Sequence, residues 1–432
     1  MTKSTIIVIK SREELIEIVK KKQERSPLIF LDSQLPEHPS NKKSWLFTDF
    51  ERILTYKNGI ATQIDRVGNV LKTFQVDPWD ALTSFRKEFP GYHCGYFGYD
   101  LKNYSEELRS KNEDIIGMPE LWIGCASRIY SYSVENSGAL KNDQSEEGLG
   151  KETKPAFQVQ LSNIISKQEY LNKIAAAQKL IHDGDIYEVN LSHQIRAKFD
   201  GSPLDLYEAM FHRGPVPYAA YLNLGDTVVC CASPERFLMK NGKNLISDPI
   251  KGTRPRGENE SSDLQIKKEL LESEKDKAEN LMIVDLVRND LSRVSKQGSV
   301  KVTSLFDVQS FGTVHQLVSR VESEKSEDVT PEQAISNCFP MGSMTGAPKI
   351  RAMEVIDELE SYRRGIYSGA IGFFDPEGDF NFNVVIRSAI IQGEKLWYSA
   401  GGAITSDSDA NQEWIETLVK IRALGLELSA YE

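Results

Sequence analysis

The stretch Thr227-Val228-Val229-Cys230-Cys231-Ala232-Ser233-Pro234-Glu235-Arg236-Phe237-Leu238-Met239-Lys240-Asn241-Gly242 reads as strand-like sequence running into a hairpin signal. Branched and apolar side chains suit a pleated, half-buried surface, and Asn-Gly supplies the left-handed backbone of a tight turn between antiparallel strands. The same grammar recurs outward from it. Toward the C-terminus, three strand-like stretches are separated by Asp375-Pro376-Glu377-Gly378 and Gln392-Gly393; toward the N-terminus, Ile53 to Val76 alternates about Asn58-Gly59. These are hairpin links rather than crossovers through helices. The expected class is therefore α+β, with large, mainly antiparallel β-sheets and helices on their outer faces. Asp77-Pro78-Trp79 combines an N-cap with an N1 proline. Ser166-Lys167-Gln168-Glu169 is a capping box before Tyr170, Ile174, Ala177 and Ile181 at helical spacing, predicting a helix to about His182. No internal repeat is found. A polar, charged stretch from Ser137 to Pro155 reads as a linker or surface loop between two regions, residues 1–150 and 160–432.

A chain of 432 residues with 40% apolar content can bury one large core or two modest ones. It has no apolar run long enough to cross a bilayer, and no cleavage-site pattern follows Ile6-Ile7-Val8-Ile9, so a soluble, cytoplasmic protein is expected. A formal charge of −11 argues against nucleic acid and anionic membrane as partners, but leaves room for a small anionic substrate in a local cationic pocket. Five cysteines, Cys94, Cys125, Cys230, Cys231 and Cys338, lack C-x-x-C spacing, which favours free buried thiols over disulfides or zinc.

Chemistry concentrates in a few places. Ser247 to Gly257, SDPIKGTRPRG, reads as a stiff, glycine-punctuated turn holding Lys251, Thr253 and Arg254 in set directions; a solvated surface turn is the alternative. A lysine with an ordinary pKa of ~10.4 is a poor nucleophile at neutral pH, and lowering it by ~3 units corresponds to ~4 kcal/mol of environmental bias. Burial and a cationic neighbour such as Arg254 would supply that bias. Asp276 and Glu279 stand three apart in a helical segment whose following positions Met282, Ile283 and Leu286 are apolar, and Glu413 and Glu416 repeat the spacing beside Trp414, Ile415 and Leu418. Four oxygen donors without His or Cys suit Mg²⁺, although two solvated helix faces fit the spacing too. His315, in FGTVHQL, fits a proton donor or a hydrogen-bonded structural histidine. GSMTGAPKIRAMEVIDELE combines a Gly-rich turn with a helix start, suited to a carboxylate or phosphate or simply to a capped helix. Arg387 sits mid-strand in FNFNVVIRSAII, where its charge must be paired, and Tyr367 precedes another strand.

Taken together, DIYEVNLS, SPERF, PIKGTRPRG, KAENLMIVDLVRNDL, GTVHQL, FPMGSMTGAPKIRAMEVI, IRSAI and AGGAITSDSDANQEWIE resemble the chorismate-utilising enzymes, strongly over Ser166 to Tyr431 and more loosely before it. The resemblance implies one α+β unit with a sheet sandwich between helices, acting on chorismate with Mg²⁺. It implies Glu279 and Glu416 as direct Mg²⁺ ligands, with Asp276 and Glu413 behind them. It places Arg387, Tyr367 and the backbone around Gly401 at the enolpyruvyl carboxylate, and Ser343 and Thr253 near the substrate. His315 then lies beside the departing ring hydroxyl, and Glu235 is the acid/base beside the ring. Asp276, Asn280, Ser343 and Ala403 depart from the residues frequent in the family.

Two positions separate the members. Isochorismate and salicylate synthases have a water-activating lysine where this chain has Glu188. Anthranilate synthases usually have alanine where this chain has Lys251, and aminodeoxychorismate synthases have the lysine. The resemblance therefore implies amination to 4-amino-4-deoxychorismate through an attack by Lys251, with anthranilate synthesis and a catalytically silent tryptophan-binding regulatory subunit as alternatives. No cysteine has the G-x-C-x-G setting of a class I glutaminase, so ammonia is expected from a separate class I glutamine amidotransferase subunit. PLIFLDSQLPEHPSNKKSW resembles a segment that contributes to a tryptophan pocket in related proteins, and an ordinary edge strand and loop fit Leu31 to Ser40 as well.

Overall fold

The structure is a computed structural model and describes residues 4–23, 27–35, 42–133, 157–312 and 314–431. The polar stretch between the two expected regions, and residues 36–40 of the Leu31 to Ser40 stretch, lie outside those residues. The described strands form one hydrogen-bonded network of 21 members. Thr5–Val8 runs parallel to Leu121–Ser133, whereas the hairpins read from the sequence pair antiparallel. Asn58 (φ 49) and Gly59 (φ 84) take the left-handed backbone expected at that turn. Asp77 and Ser166 cap their helices as expected, the latter over Lys167–His182.

The 15-residue strand Lys43–Lys57 is the junction of the network. Its register shifts between Phe50 and Arg52, and its two halves pair with different neighbours, Leu28–Asp32 and Ile60–Asp65. One layer continues from Leu28–Asp32 through Tyr218–Asn223, Val228–Ser233, Ser388–Gln392 and Lys395–Ile404 to Glu188–Gly201. The other continues from Leu121–Ser133 through Tyr92–Phe97, Ala370–Phe374, Phe380–Asn383, Arg236–Asn241 and Asn244–Asp248 to Val314–Glu324. Phe47, Trp122, Val229, Ile371 and Ile390 fill the space between the layers. Each such side chain contributes ~1.5–3 kcal/mol on burial. Helices Lys167–His182, Lys349–Leu359 and Ala410–Ile421 cover the first layer, and Pro78–Glu88, Glu274–Ser292 and Pro331–Cys338 cover the second. The fold is the expected α+β sandwich between helices, built as one continuous network in which strands from both ends of the chain pair with each other. Among the described residues no helix is long and apolar enough to cross a membrane, and all five cysteines are buried and free.

Three local expectations are corrected. The stretch from Thr227 to Lys240 is not one strand: it breaks at Pro234, which has no N–H for a ladder, and resumes at Arg236. The Lys251 segment is not a free turn. Asn244–Asp248 and Ile250–Pro255 both pair with Val314–Glu324, and the register shifts between Ile250 and Thr253. Gly252, at φ 84, supplies the bulge, which re-aims the neighbouring side chains. Arg387 is not mid-strand but sits just before Ser388–Gln392, at φ 50.

Candidate active site

The break at Pro234 and the bulge at Gly252 bring Glu235 and Lys251 to one place. The Lys251 side chain is 10% exposed and donates to Glu188 Oε1 at 2.9 Å. Glu188 is wholly buried, and its Oε2 has no hydrogen-bond partner among the described residues. Burial alone would pull the Lys251 pKa down, but Glu188, with smaller help from Glu279 and Glu235, outweighs it and raises it. This overturns the expected cause of a depressed lysine. Arg254 does not face Lys251; it pairs with Asp276 at 2.6 Å. Glu235 accepts from Ser343 Oγ at 2.7 Å. Burial pushes Glu235 up to about 7, against the opposing effects of the Ser343 hydrogen bond and the Lys251 charge, so it can carry or release a proton near neutral pH.

The two acidic pairs lie on facing helices, Glu274–Ser292 and Ala410–Ile421. Lys275 Nζ sits between them, 3.8 Å from Glu279 and 3.9 Å from Glu413. Burial raises Glu279 to about 7, and Glu413 is raised by burial and by Glu416. Glu416 is lowered by Lys420, 2.6 Å away. A Cβ at Gly402 would lie 2.9 Å from Glu413 Oε2 and 3.9 Å from Glu416 Oε1, so glycine leaves space beside both acids. No cluster of three or more such acids among the described residues is drawn tight enough to hold an ion as it stands. The donor set still fits a hard cation, since it is all oxygen and already holds the ammonium of Lys275.

Arg387 has Tyr398 and Glu416 as its charge neighbours, yet no hydrogen bond or ion pair holds its guanidinium among the described residues. An unpaired cation at this depth is suited to an anionic ligand. Tyr367 is buried and lies near Arg364, whose guanidinium is 5.8 Å from its ring. A Cβ at Gly401 would come within 2.4 Å of Leu191 O, which is why a glycine occupies this tight crossing.

Sequence reasoning missed a clamp beneath these groups. The buried Arg364 guanidinium donates to Glu360 Oε1 at 2.6 Å, Asn190 O at 2.7 Å and Met344 O at 2.7 Å, while Glu360 Oε1 also accepts from Ser192 N at 2.8 Å. It thus ties the Glu188 strand to the loop bearing Ser343. Its link to Glu360 is a local i,i+4 pair, but no local motif announces the two backbone carbonyls, Asn190 O and Met344 O, which lie far apart in sequence.

His315 is not brought to this group. Neighbouring strand residues point to opposite faces, and the structure sends His315 to Asp263 (2.9 Å) and Ser310 (2.8 Å). The next residue faces the other way: Gln316 donates to Thr253 Oγ1 at 3.4 Å, and its Oε1 is buried without a partner. The alternation in Val314–Glu324 is the signal that would have picked Gln316 instead. Asn280, noted as a departure, holds Leu317 O and Ser319 Oγ and so fastens its helix to this strand.

A family description for chorismate binding enzymes matches residues 27–425. The chain belongs to that family. This chorismate binding enzyme is 45% identical over 262 residues to the aminodeoxychorismate synthase of Arabidopsis thaliana chloroplasts, covering 60% of this chain and 28% of that protein. It is 46% identical over 257 residues to aminodeoxychorismate synthase of Streptomyces griseus, covering 59% and 35%. It therefore spans about a third of the length of these relatives. Anthranilate synthase component 1 of Acinetobacter calcoaceticus is 32% identical over 390 residues, 83% of this chain and 78% of that protein. The crystal structure of anthranilate synthase component I from Streptococcus pneumoniae superimposes with a TM-score of 0.76 and 28% identity, covering 91% of this chain and 94% of that one.

Proposed function

We propose that this chorismate binding enzyme converts chorismate and ammonia to 4-amino-4-deoxychorismate, the reaction of aminodeoxychorismate synthase component I. The observation that carries this reading is Lys251, held nearly buried on a bulged strand with Glu235 close enough to feel its charge. The lysine amine attacks the ring carbon next to the carboxylate-bearing one, and the 4-hydroxyl departs. Ammonia adds at C4 as the lysine leaves. Glu235, poised near 7, gives the departing hydroxyl its proton and later takes one from the new amine. Arg387 and Tyr367 bind the enolpyruvyl carboxylate beside the Gly401 backbone, and Thr253 and Ser343 line the ring. Mg²⁺, when bound, neutralises and orients the ring carboxylate. Glu279 and Glu416 would hold it, with Asp276 and Glu413 acting through water. Ammonia would come from a separate class I glutaminase subunit, and a tryptophan would sit near Leu31 to Ser40.

A second reading, anthranilate synthase component I, is favoured by the longer match to that enzyme. Incubation with chorismate, Mg²⁺ and ammonium, followed by mass analysis, separates the two. Aminodeoxychorismate without pyruvate release is expected, together with loss of that product in Lys251→Ala. Anthranilate with pyruvate would overturn the proposal, and tryptophan binding without turnover would indicate a regulatory subunit.

A further inference from the structure

A nucleophilic lysine must first be unloaded, and among the described residues the main influences on Lys251 other than burial favour its charged form. Among the described residues the expected cationic neighbour, Arg254, is paired with Asp276 instead, and the charges acting most strongly on Lys251 include those of Glu188, Glu235 and Glu279, with Glu416 also within reach, all acids. Of these, Glu188 alone is hydrogen-bonded to Nζ, at 2.9 Å. Glu235 is occupied by Ser343, and Glu279 and Glu416 by Lys275 and Lys420.

Resting on the aminodeoxychorismate reading, we infer that Glu188 is the base that takes the proton from Lys251 before it attacks. Three features fit it for that step. First, the Glu188 backbone is held in a ladder: Tyr187 N donates to Ala347 O, and the strand pairs Ala347 with Glu188 and Gly346 with Val189. Any Cβ at Gly346 would lie 2.1 Å from Glu188 O, so the two strands touch only because that residue is glycine. Second, Oε2 is buried without a donor. An unpaired charged oxygen in the interior is costly, and a neutral acid reduces that cost. Third, the exchange removes two opposite charges from a dry site at the moment an uncharged nucleophile is needed.

The step balances. The Lys251 ammonium and Glu188 carboxylate become amine and carboxylic acid. The amine lone pair forms the bond to the ring, the double bonds shift, and the C4–O bond breaks with the proton from Glu235, releasing water. When ammonia adds at C4, the electrons return, the lysine leaves as an amine, and Glu188 gives back its proton. Glu235 takes the surplus proton from the new C4 ammonium.

Glu188→Gln tests this as a pH profile of kcat with ammonium as nitrogen donor. The variant is expected at least about 100-fold slower at pH 7, rising about tenfold per pH unit, because it must wait for the small neutral fraction of lysine. Formate is expected to rescue Glu188→Ala by occupying the vacated space. Chorismate binding, read by intrinsic fluorescence, identifies folded variants. Should neither fold, Glu188→Asp is expected to show the same slope with a smaller loss. A Glu188→Gln enzyme as fast as or faster than the parent at pH 7, or one with a parallel profile, would overturn the inference, since a mere counter-ion would release Lys251 when removed. Anthranilate from the unsubstituted enzyme would remove the underlying reading instead, whatever the Glu188 variants do.

Discussion

The Lys251 centre and the acidic helices face the same space but are built in opposite ways. Around Lys251 the contacts are short and dry: Glu188 at 2.9 Å, with its side chain 1% exposed, and Glu235 on Ser343 at 2.7 Å. Between the helices the acids share a half-exposed lysine at 3.8 and 3.9 Å, and the Glu416 side chain is 55% exposed. The first is fixed by strands from both layers and clamped from below by Arg364. The second is held together by weak, screened attractions of the kind worth ~0–1 kcal/mol. A proton-transfer site gains from rigidity, because its geometry must not change between turnovers. The proposed cation site, which must fill and empty, gains from partners easily displaced.

The largest expected effect lies on the dry side. Glu235→Gln removes the proposed proton donor and should lower kcat by ~10²–10³. The same change should stabilise the fold, in a pH-dependent way. Glu235 is raised to about 7, so the folded protein binds this proton more tightly than the unfolded chain does. That contribution is complete below the ordinary carboxylate range near ~4.3 and is lost as pH climbs through 7. The variant's advantage should therefore be negligible near pH 4 and grow to at most ~4 kcal/mol by pH 8. Unfolding midpoints of both proteins at pH 5 and 8 check this, and a difference independent of pH would show that Glu235 is not held near 7 by burial.

Between the acidic helices the effect is smaller. Lys275→Gln deletes the ammonium that Glu279 and Glu413 share, so the Mg²⁺ concentration giving half-maximal turnover should fall by ~2–5-fold, the equivalent of one or two exposed ion pairs. The difference should shrink in ~0.5 M salt. An unchanged or higher requirement would mean that Lys275 helps to bind the ion's ligands rather than standing in for it.

The contrast also explains what the sequence made legible. Turns were legible because Asn58-Gly59 and Asp375 to Gly378 carry their backbone chemistry locally, and helix starts because Asp77 and Ser166 cap within three residues. The acidic pairs were legible because i,i+3 spacing on a helix is a local pattern. Lys251 was found, but its environment was misread: the decisive neighbour, Glu188, is 63 residues away and joins it only through the layer-to-layer packing. The same holds for Arg364, which besides its local partner Glu360 binds the backbone carbonyls of Asn190 and Met344, far away in sequence. Segments that break a strand, at Pro234 and Gly252, were read as continuous or as turns because a bulge is defined by its partner's register rather than by its own residues.

The smallest effect concerns a one-residue choice. In Val314–Glu324, His315 and Gln316 face opposite sides, and the geometry gives each a different job. His315 is 0% exposed and ties the strand to Asp263, which Arg256 also grips at 2.6 Å; that is the architecture of a brace. Gln316 reaches Thr253 and leaves its carbonyl oxygen without a donor, an arrangement that a substrate hydroxyl would complete. Gln316→Ala should therefore raise KM for chorismate by ~2–10-fold, the value of one hydrogen bond, with little change in unfolding midpoint. His315→Asn should do the reverse, costing ~1–3 kcal/mol of stability while kcat and KM stay within about twofold. Steady-state kinetics and thermal unfolding on the two variants decide between them. A His315→Asn enzyme that folds normally but loses turnover would place the proton donor on the helix side of the strand, and the division between brace and contact would fail.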